Sequence, residues 1–310
     1  MTGGPIVIAG GSGLIGQALA ASLADAGKDV VILTREPSRH VGVGRAAAWD
    51  PSRADAPIPA LEGASAVVNL AGRNVNTRWT QAARRELRDS RVQSSRAVGA
   101  AIARCDSPPG LWINVSGANI YGDRGDELLP ETASVPMRED DFLASLCREW
   151  EAAATEAQLP DGVRRIIPRL GVVLSPKGGA FPLLVRLTRL FAGGHLGSGR
   201  QWMPWIHVDD AVSVLRWMLE TDGAAGVYNV VSPQPATNAQ FMRALRRVLH
   251  RPWAPPAPAW AARLAGGALG LPVTAALASL RMVPRRLEEE GFRFQHPELE
   301  PALATLVADR

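Results

Sequence analysis

The sequence predicts an α/β protein: a doubly wound parallel sheet with a small C-terminal lobe. Three observations carry that prediction. Short, nearly continuous apolar runs alternate with helix-period segments over the first 250 residues, as parallel strands covered on both faces do. A glycine-rich turn over residues 10–16 separates the first apolar run from the first helical segment. After residue 250 the composition shifts to Pro252, Pro255, Pro256 and Pro258, followed by apolar helix-like segments. The expected division is therefore residues 1–250 and 251–310.

The elements follow in order. Ile6 to Ala9 is a β-branched strand, and Leu14 to Ala26 is a helix with Leu14, Ala18, Leu19, Leu23 and Ala26 on one face. Gly27 stands where a helix usually ends. Asp29 to Thr34 and Ala64 to Leu70 are apolar strands, and Thr80 to Ala103 is a long helix rich in Arg and Ala. Pro108-Pro109-Gly110 acts as a stop before a strand over Leu111 to Ser116. A helix over Asp141 to Gln158 and a strand over Arg164 to Leu174 come next. The segment Asp209 to Thr221 reads as a helix capped by Asp, with Val212, Leu215 and Leu219 on its apolar face. Val227 to Val231 is a late strand, and residues 260–269 and 273–280 are helix-like.

Composition narrows the function classes. Of 310 residues, 46% are hydrophobic, which excludes a disordered chain. Two cysteines, Cys105 and Cys147, exclude a disulfide scaffold and a four-cysteine zinc site, and the five histidines form no H-x-x-x-H pair, so no metal is expected. The net charge is +4, but only Lys28 and Lys177 of the 34 basic residues are lysines. Acids and bases also interleave, as in Arg84-Arg85-Glu86-Leu87-Arg88-Asp89, so no nucleic-acid partner is expected. No apolar stretch approaches the ~18 residues of a membrane span, and residues 6–16 lack the basic flank of a signal segment. The expected setting is the cytoplasm, with no membrane partner.

The glycine turn reads Gly10-Gly11-Ser12-Gly13-Leu14-Ile15-Gly16, with glycines spaced G-x-x-G-x-x-G between a strand and a helix. That context points to a dinucleotide. Gly10 permits the tight turn, Gly13 lets a pyrophosphate approach the backbone, and Gly16 lets helix and strand pack closely. The first-turn N–H groups then face the phosphates. An acid at the end of the second strand would hold a ribose 2′-hydroxyl. Here Thr34-Arg35 stands instead, with Arg39 nearby, and Arg35 suits a 2′-phosphate. NADP(H) is therefore expected over NAD(H).

Further motifs sharpen this: Trp49-Asp50-Pro51, Asn69-Leu70-Ala71-Gly72, Arg78-Trp79-Thr80, Asp89-Ser90-Arg91, Leu196-Gly197-Ser198-Gly199-Arg200-Gln201-Trp202-Met203, Pro204-Trp205-Ile206-His207-Val208-Asp209-Asp210 and Val283-Pro284-Arg285-Arg286-Leu287. Over nearly the whole chain they resemble the extended, epimerase-like branch of the short-chain dehydrogenase/reductase superfamily, with its Rossmann sheet. Within it they resemble an atypical NADP-linked epimerase family of unassigned substrate, with a family-specific C-terminal segment.

The resemblance implies that Leu70, Ala71 and Gly72 lie along the cofactor. Asp50 either approaches the adenine or caps a turn before Pro51. Arg73 departs from the family, which commonly carries Glu there, and Arg91 is expected in a structural salt bridge. Active relatives use a Tyr-x-x-x-Lys pair with a Ser or Thr, but here the matching positions are Leu143 and Cys147. Tyr121 remains as the candidate acid, Ser116 as the hydroxyl beside the nicotinamide, and Arg148 as a ribose anchor. The glycine-rich loop from Gly193 to Gln201 would line a substrate pocket with Arg200, Trp202, Trp205 and His207; His207 reads equally as a structural residue beside the following helix. Two functions stay open: an NADP(H)-dependent oxidoreductase or epimerase on a small, nucleotide-sugar-like substrate, and a non-catalytic NADP(H)-binding regulator of a partner. A homodimer is the assembly to expect of either.

Overall fold

The structure is a computed structural model. It describes residues 3–53, 58–75, 77–138, 140–269 and 273–308, without the side chains at 265 and 267–269. The strands are β1 (Ile6–Ala9), β2 (Val30–Thr34), β3 (Arg45–Ala48), β4 (Ala66–Asn69), β5 (Leu111–Asn114), β6 (Ser116–Gly117), β7 (Leu128–Leu129), β8 (Arg164–Leu170), β9 (Val172–Leu174), β10 (Trp202–Met203), β11 (Trp205–His207), β12 (Gly226–Val230), β13 (Ala236–Thr237) and β14 (Arg281–Met282). The helices are α1 (Leu14–Asp25), α2 (Gln81–Ile102), α3 (Phe142–Thr155), α4 (Phe181–Arg189), α5 (Val208–Glu220), α6 (Asn238–Val248), α7 (Ala259–Leu269), α8 (Val273–Leu277), α9 (Arg285–Glu289) and α10 (Leu299–Ala308).

The central sheet runs β3-β2-β1-β4-β5-β8-β12, with β6 also beside β8, and every pairing is parallel. Alternation along β1 shows why both faces are covered. Ile6 and Ile8 join the core under α1 and α5, while Val7 and Ala9 join the core under α2 and α3. Strand order reverses between β1 and β4. That reversal opens a crevice at the carboxyl edge of the sheet, where ligands of such folds bind. The fold is the expected Rossmann-like one.

Two local expectations need correction. The strand expected over Arg164 to Leu174 breaks at Gly171, where the backbone passes so close to Pro204 that a Cβ would lie 2.5 Å from its carbonyl oxygen; Val172 N–H then donates to that oxygen at 2.6 Å and β9 pairs with β11. Helix α5 is capped by His207, whose Nδ1 accepts the Asp209 N–H at 3.1 Å, and not by an Asp. The neighbouring carboxylate of Asp210 is engaged elsewhere, accepting the N–H groups of Gln295 at 2.7 Å and His296 at 2.9 Å. A third point concerns the C-terminal region, whose described helices pack onto the rest of the chain. Leu287 of α9 lies in the same core as Tyr228 and Val230 of β12, and Leu303 and Leu306 of α10 pack with Phe241 of α6. No described helix is long and apolar enough to cross a membrane.

Candidate functional site

The parallel sheet sets the sequence-predicted residues in a row along its carboxyl edge. In spatial order these are Thr34 and Arg35 after β2, the glycine loop after β1, residues 70–72 after β4, and Ser116 after β5. Three inter-strand steps separate the ends of that row, about 15 Å. The edge therefore suits an elongated ligand.

The glycine loop is built by backbone contacts. Gly10 has φ +78°, and a Cβ there would lie 2.7 Å from the Leu70–Ala71 backbone. A Cβ at Gly16 would lie 2.5 Å from Gly10 O, so α1 packs directly beneath the turn. A Cβ at Gly11, also expected at the cofactor, would strike the Ile32 side chain at 2.5 Å. Gly13 is different: its nearest obstacle is Gly10 O at 3.3 Å and its outer side is exposed. Gly13 is also the N-cap of α1 and provides no side-chain acceptor, whereas α2, α3, α5 and α6 are capped by Thr80, Asp141, His207 and Thr237. The first turn of α1, with Leu14 and Ile15, keeps its donors for a ligand.

Beside this loop a cavity of about 360 Å³ is lined by Ser12, Thr34, Arg35, Glu36, Arg39, His40 and Val41. Arg39 pairs with Glu36 at 2.7 Å. Arg35 is exposed and makes no hydrogen bond or ion pair among the described residues, though its charge reaches the Asp50 carboxylate and helps to lower its pKa. Asp50 forms a turn: its Oδ1 accepts the backbone N–H of Ser52 at 3.0 Å and the Ser52 hydroxyl at 2.8 Å, and these bonds lower its pKa. Of its two expected roles the structure displays the turn.

At the other end of the row, Ser116 is buried and its Oγ has no hydrogen-bond partner; the same holds for Asn114 Nδ2. Buried polar groups left unpaired cost about 1–3 kcal/mol each, and two of them lie together at this sheet edge. Behind them lies a polar cluster that sequence reasoning missed. Asn69 Nδ2 donates to Asn114 Oδ1 at 2.8 Å, Ser95 donates to the same oxygen at 2.9 Å, and Asn69 Oδ1 accepts the Ala71 N–H at 3.1 Å. The available signal was an Asn closing each of two apolar strands.

Tyr121, the candidate acid, lies in the interior. It is fully buried, and its hydroxyl meets Asn229 Oδ1 at 2.9 Å and the Arg169 guanidinium at 2.8 Å. Burial raises its pKa, with Arg169 opposing. Arg169 in turn forms a buried ion pair with Glu151 at 2.8 Å. Tyr121 thus belongs to a sealed structural network. Cys147, at the family's Lys position, is buried beside Gly117 with its thiol pushed up to about 12, so it holds its proton at neutral pH. Arg148, the expected ribose anchor, donates from Nη1 and Nη2 to Pro136 O and Arg138 O at 2.7 and 2.8 Å and so staples a loop.

Comparison with known proteins decides the family. Residues 6–231 match the NAD dependent epimerase/dehydratase family, and residues 257–306 match a domain of unknown function, DUF1731. The chain belongs to the NAD dependent epimerase/dehydratase family. It is 33% identical over 305 residues to the epimerase family protein YfhF of Bacillus subtilis, covering 98% of each chain. It is 38% identical over 311 residues to the epimerase family protein MT2273 of Mycobacterium tuberculosis, covering 98% of this chain and 97% of that one. The crystal structure of human epimerase family protein SDR39U1 (isoform 2) with NADPH superposes with a TM-score of 0.88 at 32% identity, over 99% of this chain and 100% of that one.

Two departures from the expected pattern of this epimerase/dehydratase chain have structural answers. Arg73 pairs with Glu86 on α2. Arg91 has no acid among its hydrogen-bond partners: it donates to Leu87 O at 3.0 Å and Arg73 O at 2.9 Å and lies 5.2 Å from the Trp150 ring centre, replacing the expected salt bridge. On the substrate side, Arg200 is exposed. Trp202 donates its indole N–H to Asp126 at 2.8 Å with Arg281 over its ring at 4.6 Å. Trp205 and His207, the other two expected pocket residues, lie in the interior. Trp205 is buried and donates to Gln234 O at 3.2 Å. His207 is buried, stacks on His296 at 3.8 Å between ring centres, caps α5 through Nδ1 and meets Thr305 through Nε2. His207, Asp209 and His296 bring potential ligand atoms within 4.8 Å, but the Nδ1 lone pair of His207 is already used by the cap.

Proposed function

We propose that this protein binds NADP(H) along the carboxyl edge of its sheet. In this reading it acts on a small substrate as an oxidoreductase or epimerase without the Tyr–Lys proton couple. The observation that carries the cofactor choice is the cavity where Ser12, Thr34 and Arg35, whose guanidinium is in no hydrogen bond or ion pair among the described residues, converge beside the loop. The residues fit the group: Arg35 and Thr34 hold the 2′-phosphate, the first turn of α1 receives the pyrophosphate, and Gly13 gives it room. Leu70, Ala71 and Gly72 form the floor between the two halves. Ser116 Oγ and Asn114 Nδ2, unpaired within the protein, hydrogen-bond polar groups at the nicotinamide end. The bound cofactor supplies hydride donor or acceptor chemistry there. Arg200 and Trp202 face the substrate. The bound NADPH of human SDR39U1, at 32% identity, supports the cofactor assignment.

A second reading, a non-catalytic NADP(H)-responsive regulator, is favoured by one observation. Leu143 cannot carry a proton, Cys147 keeps its own, and Tyr121 is sealed in its network. Fluorescence titration with NADPH tests what the readings share, and absence of binding refutes both. Incubation of NADPH with quinones, aldehydes and nucleotide sugars then separates them. Turnover, read by loss of nicotinamide absorbance and by chromatography of the sugars, establishes the enzyme; binding without turnover favours the regulator.

A further inference from the structure

Residues 162–208 and 223–287 contain no Asp or Glu. The fold brings exposed parts of both stretches together at one end of the molecule. The loop after α4 runs beside residues 251–259: Ala257 N–H donates to His195 O at 2.8 Å and Gly197 N–H to Ala257 O at 2.9 Å. Arg251 lies 5.2 Å from the Phe191 ring centre, and Arg246 of α6 donates to Gly193 O at 2.6 Å.

This end presents apolar side chains to water. Leu183, Leu187 and Leu190 recur along the outer side of α4 and its C-cap, and Leu190 is 65% exposed. Phe191, 60% exposed, holds φ +63°, a conformation usually left to glycine. Trp253 is 74% exposed, and Trp260 and Leu264, one turn apart on α7, are 67% and 69% exposed. Arg186, Arg189, Arg251 and Arg263 sit exposed among them, and none has a carboxylate partner among the described residues. Burial, and then the like charge of Arg243, lowers the pKa of Arg246.

We propose that this face docks reversibly on an anionic phospholipid surface. Helices that expose Trp, Phe and Leu beside arginines lie in the headgroup region, where the apolar side chains leave water and the cations meet lipid phosphates. Charge complementarity selects this occupant over a second copy of the chain. An isologous contact would press unpaired arginines together with no acid from either stretch to receive them. Side-chain chemistry favours it over nucleic acid: Phe191, Trp253 and Trp260 offer rings for a base to stack on, but the four exposed leucines beside them, Leu183, Leu187, Leu190 and Leu264, offer none and gain only from an apolar surrounding. The absence of a spanning helix concerns crossing a membrane, not resting on one.

The test is co-sedimentation of the whole protein with vesicles of equimolar phosphatidylglycerol and phosphatidylcholine, against phosphatidylcholine alone. Binding is expected to the mixed vesicles only, and to be lost near 1 M salt, where the screening length falls to about 3 Å. One basic residue near an anionic surface strengthens binding about fivefold, so Arg186→Gln with Arg251→Gln weakens it roughly 30-fold. Trp260→Ser with Leu264→Ser, both exposed, abolishes binding while melting temperature and NADPH affinity stay as in the wild type. No binding to the mixed vesicles, equal binding to neutral ones, or unchanged binding by the Trp260/Leu264 variant overturns the proposal. So does tighter binding of a single-stranded oligonucleotide, or a lipid-free dimer in sedimentation velocity that the same variant dissociates.

Discussion

Replacing Arg35 by alanine isolates the contact on which cofactor choice rests. Arg35 directly follows the last residue of β2, and its exposed guanidinium makes no hydrogen bond or ion pair among the described residues and acts only on the exposed Asp50 carboxylate, so its removal strands no buried group and disturbs folding little. The other cation on the cavity wall cannot substitute fully, because Arg39 is held by Glu36 at 2.7 Å. Thr34 Oγ1 already accepts the Glu36 N–H at 3.3 Å and retains only its proton for a phosphate oxygen. A hydrogen bond to a charged group contributes about 1.5–3 kcal/mol. Exposure brings solvent screening, which puts Arg35 at the lower end, about 1.5 kcal/mol or roughly tenfold in affinity. Titration by nicotinamide fluorescence is expected to show NADPH binding weakened by about that factor in Arg35→Ala, with NADH binding unchanged. Added salt is expected to narrow the NADPH preference of the wild type. Unchanged NADPH affinity in the variant, or an equal loss for both cofactors, would refute the reasoning.

Other expectations follow from the same geometry. A Cβ at Gly13 meets nothing closer than 3.3 Å and its outer side is exposed, so Gly13→Val should keep its melting temperature but lose the rise on adding NADPH; a Cβ at Gly16 would lie 2.5 Å from Gly10 O, so Gly16→Val should melt lower even without ligand. Tyr121→Phe leaves Asn229 and Arg169 each short of a partner, a cost of about 1–3 kcal/mol, and calorimetry should read it as a fall of several degrees. Lost turnover in that variant at an unchanged melting temperature would restore Tyr121 as the acid. Iodoacetamide at neutral pH should leave Cys147 unlabelled in the folded protein, since burial holds its thiol at about 12. Cys105, half-buried at about 11, should label slowly and faster as pH rises toward that value.

The fold and the cofactor row were legible because they depend on neighbours in sequence. A β-branched run, a glycine turn and an amphipathic helix specify one another within about twenty residues, and parallel pairing then sets the strand ends in line. The sealed state of Tyr121 was not legible, because it rests on Arg169 and Asn229, 48 and 108 positions away. His207 shows the same limit. Beside Asp209 and Asp210 it reads as either a pocket or a structural residue, and only its stacking on His296 and its bond to Thr305 decide. Trp205 belongs with it, since nothing local tells an aromatic lining a pocket from one filling a core. The unpaired Ser116 Oγ escaped for the opposite reason, because a missing partner leaves no pattern in a sequence.

The late insertion of Leu287 into the core around β12 bears on how the chain is made. Tyr228 and Val230 gain that neighbour, and Tyr228 donates its hydroxyl to Glu290 at 2.8 Å, only after the chain between Val230 and Leu287 has been synthesised. At about 5–20 residues per second that interval is roughly 3–11 s, during which the nascent sheet carries an unfinished apolar edge. A chain interrupted in that interval would hold the whole glycine loop and still lack a closed core. Such a fragment is a natural client for chaperones and an early target for proteases.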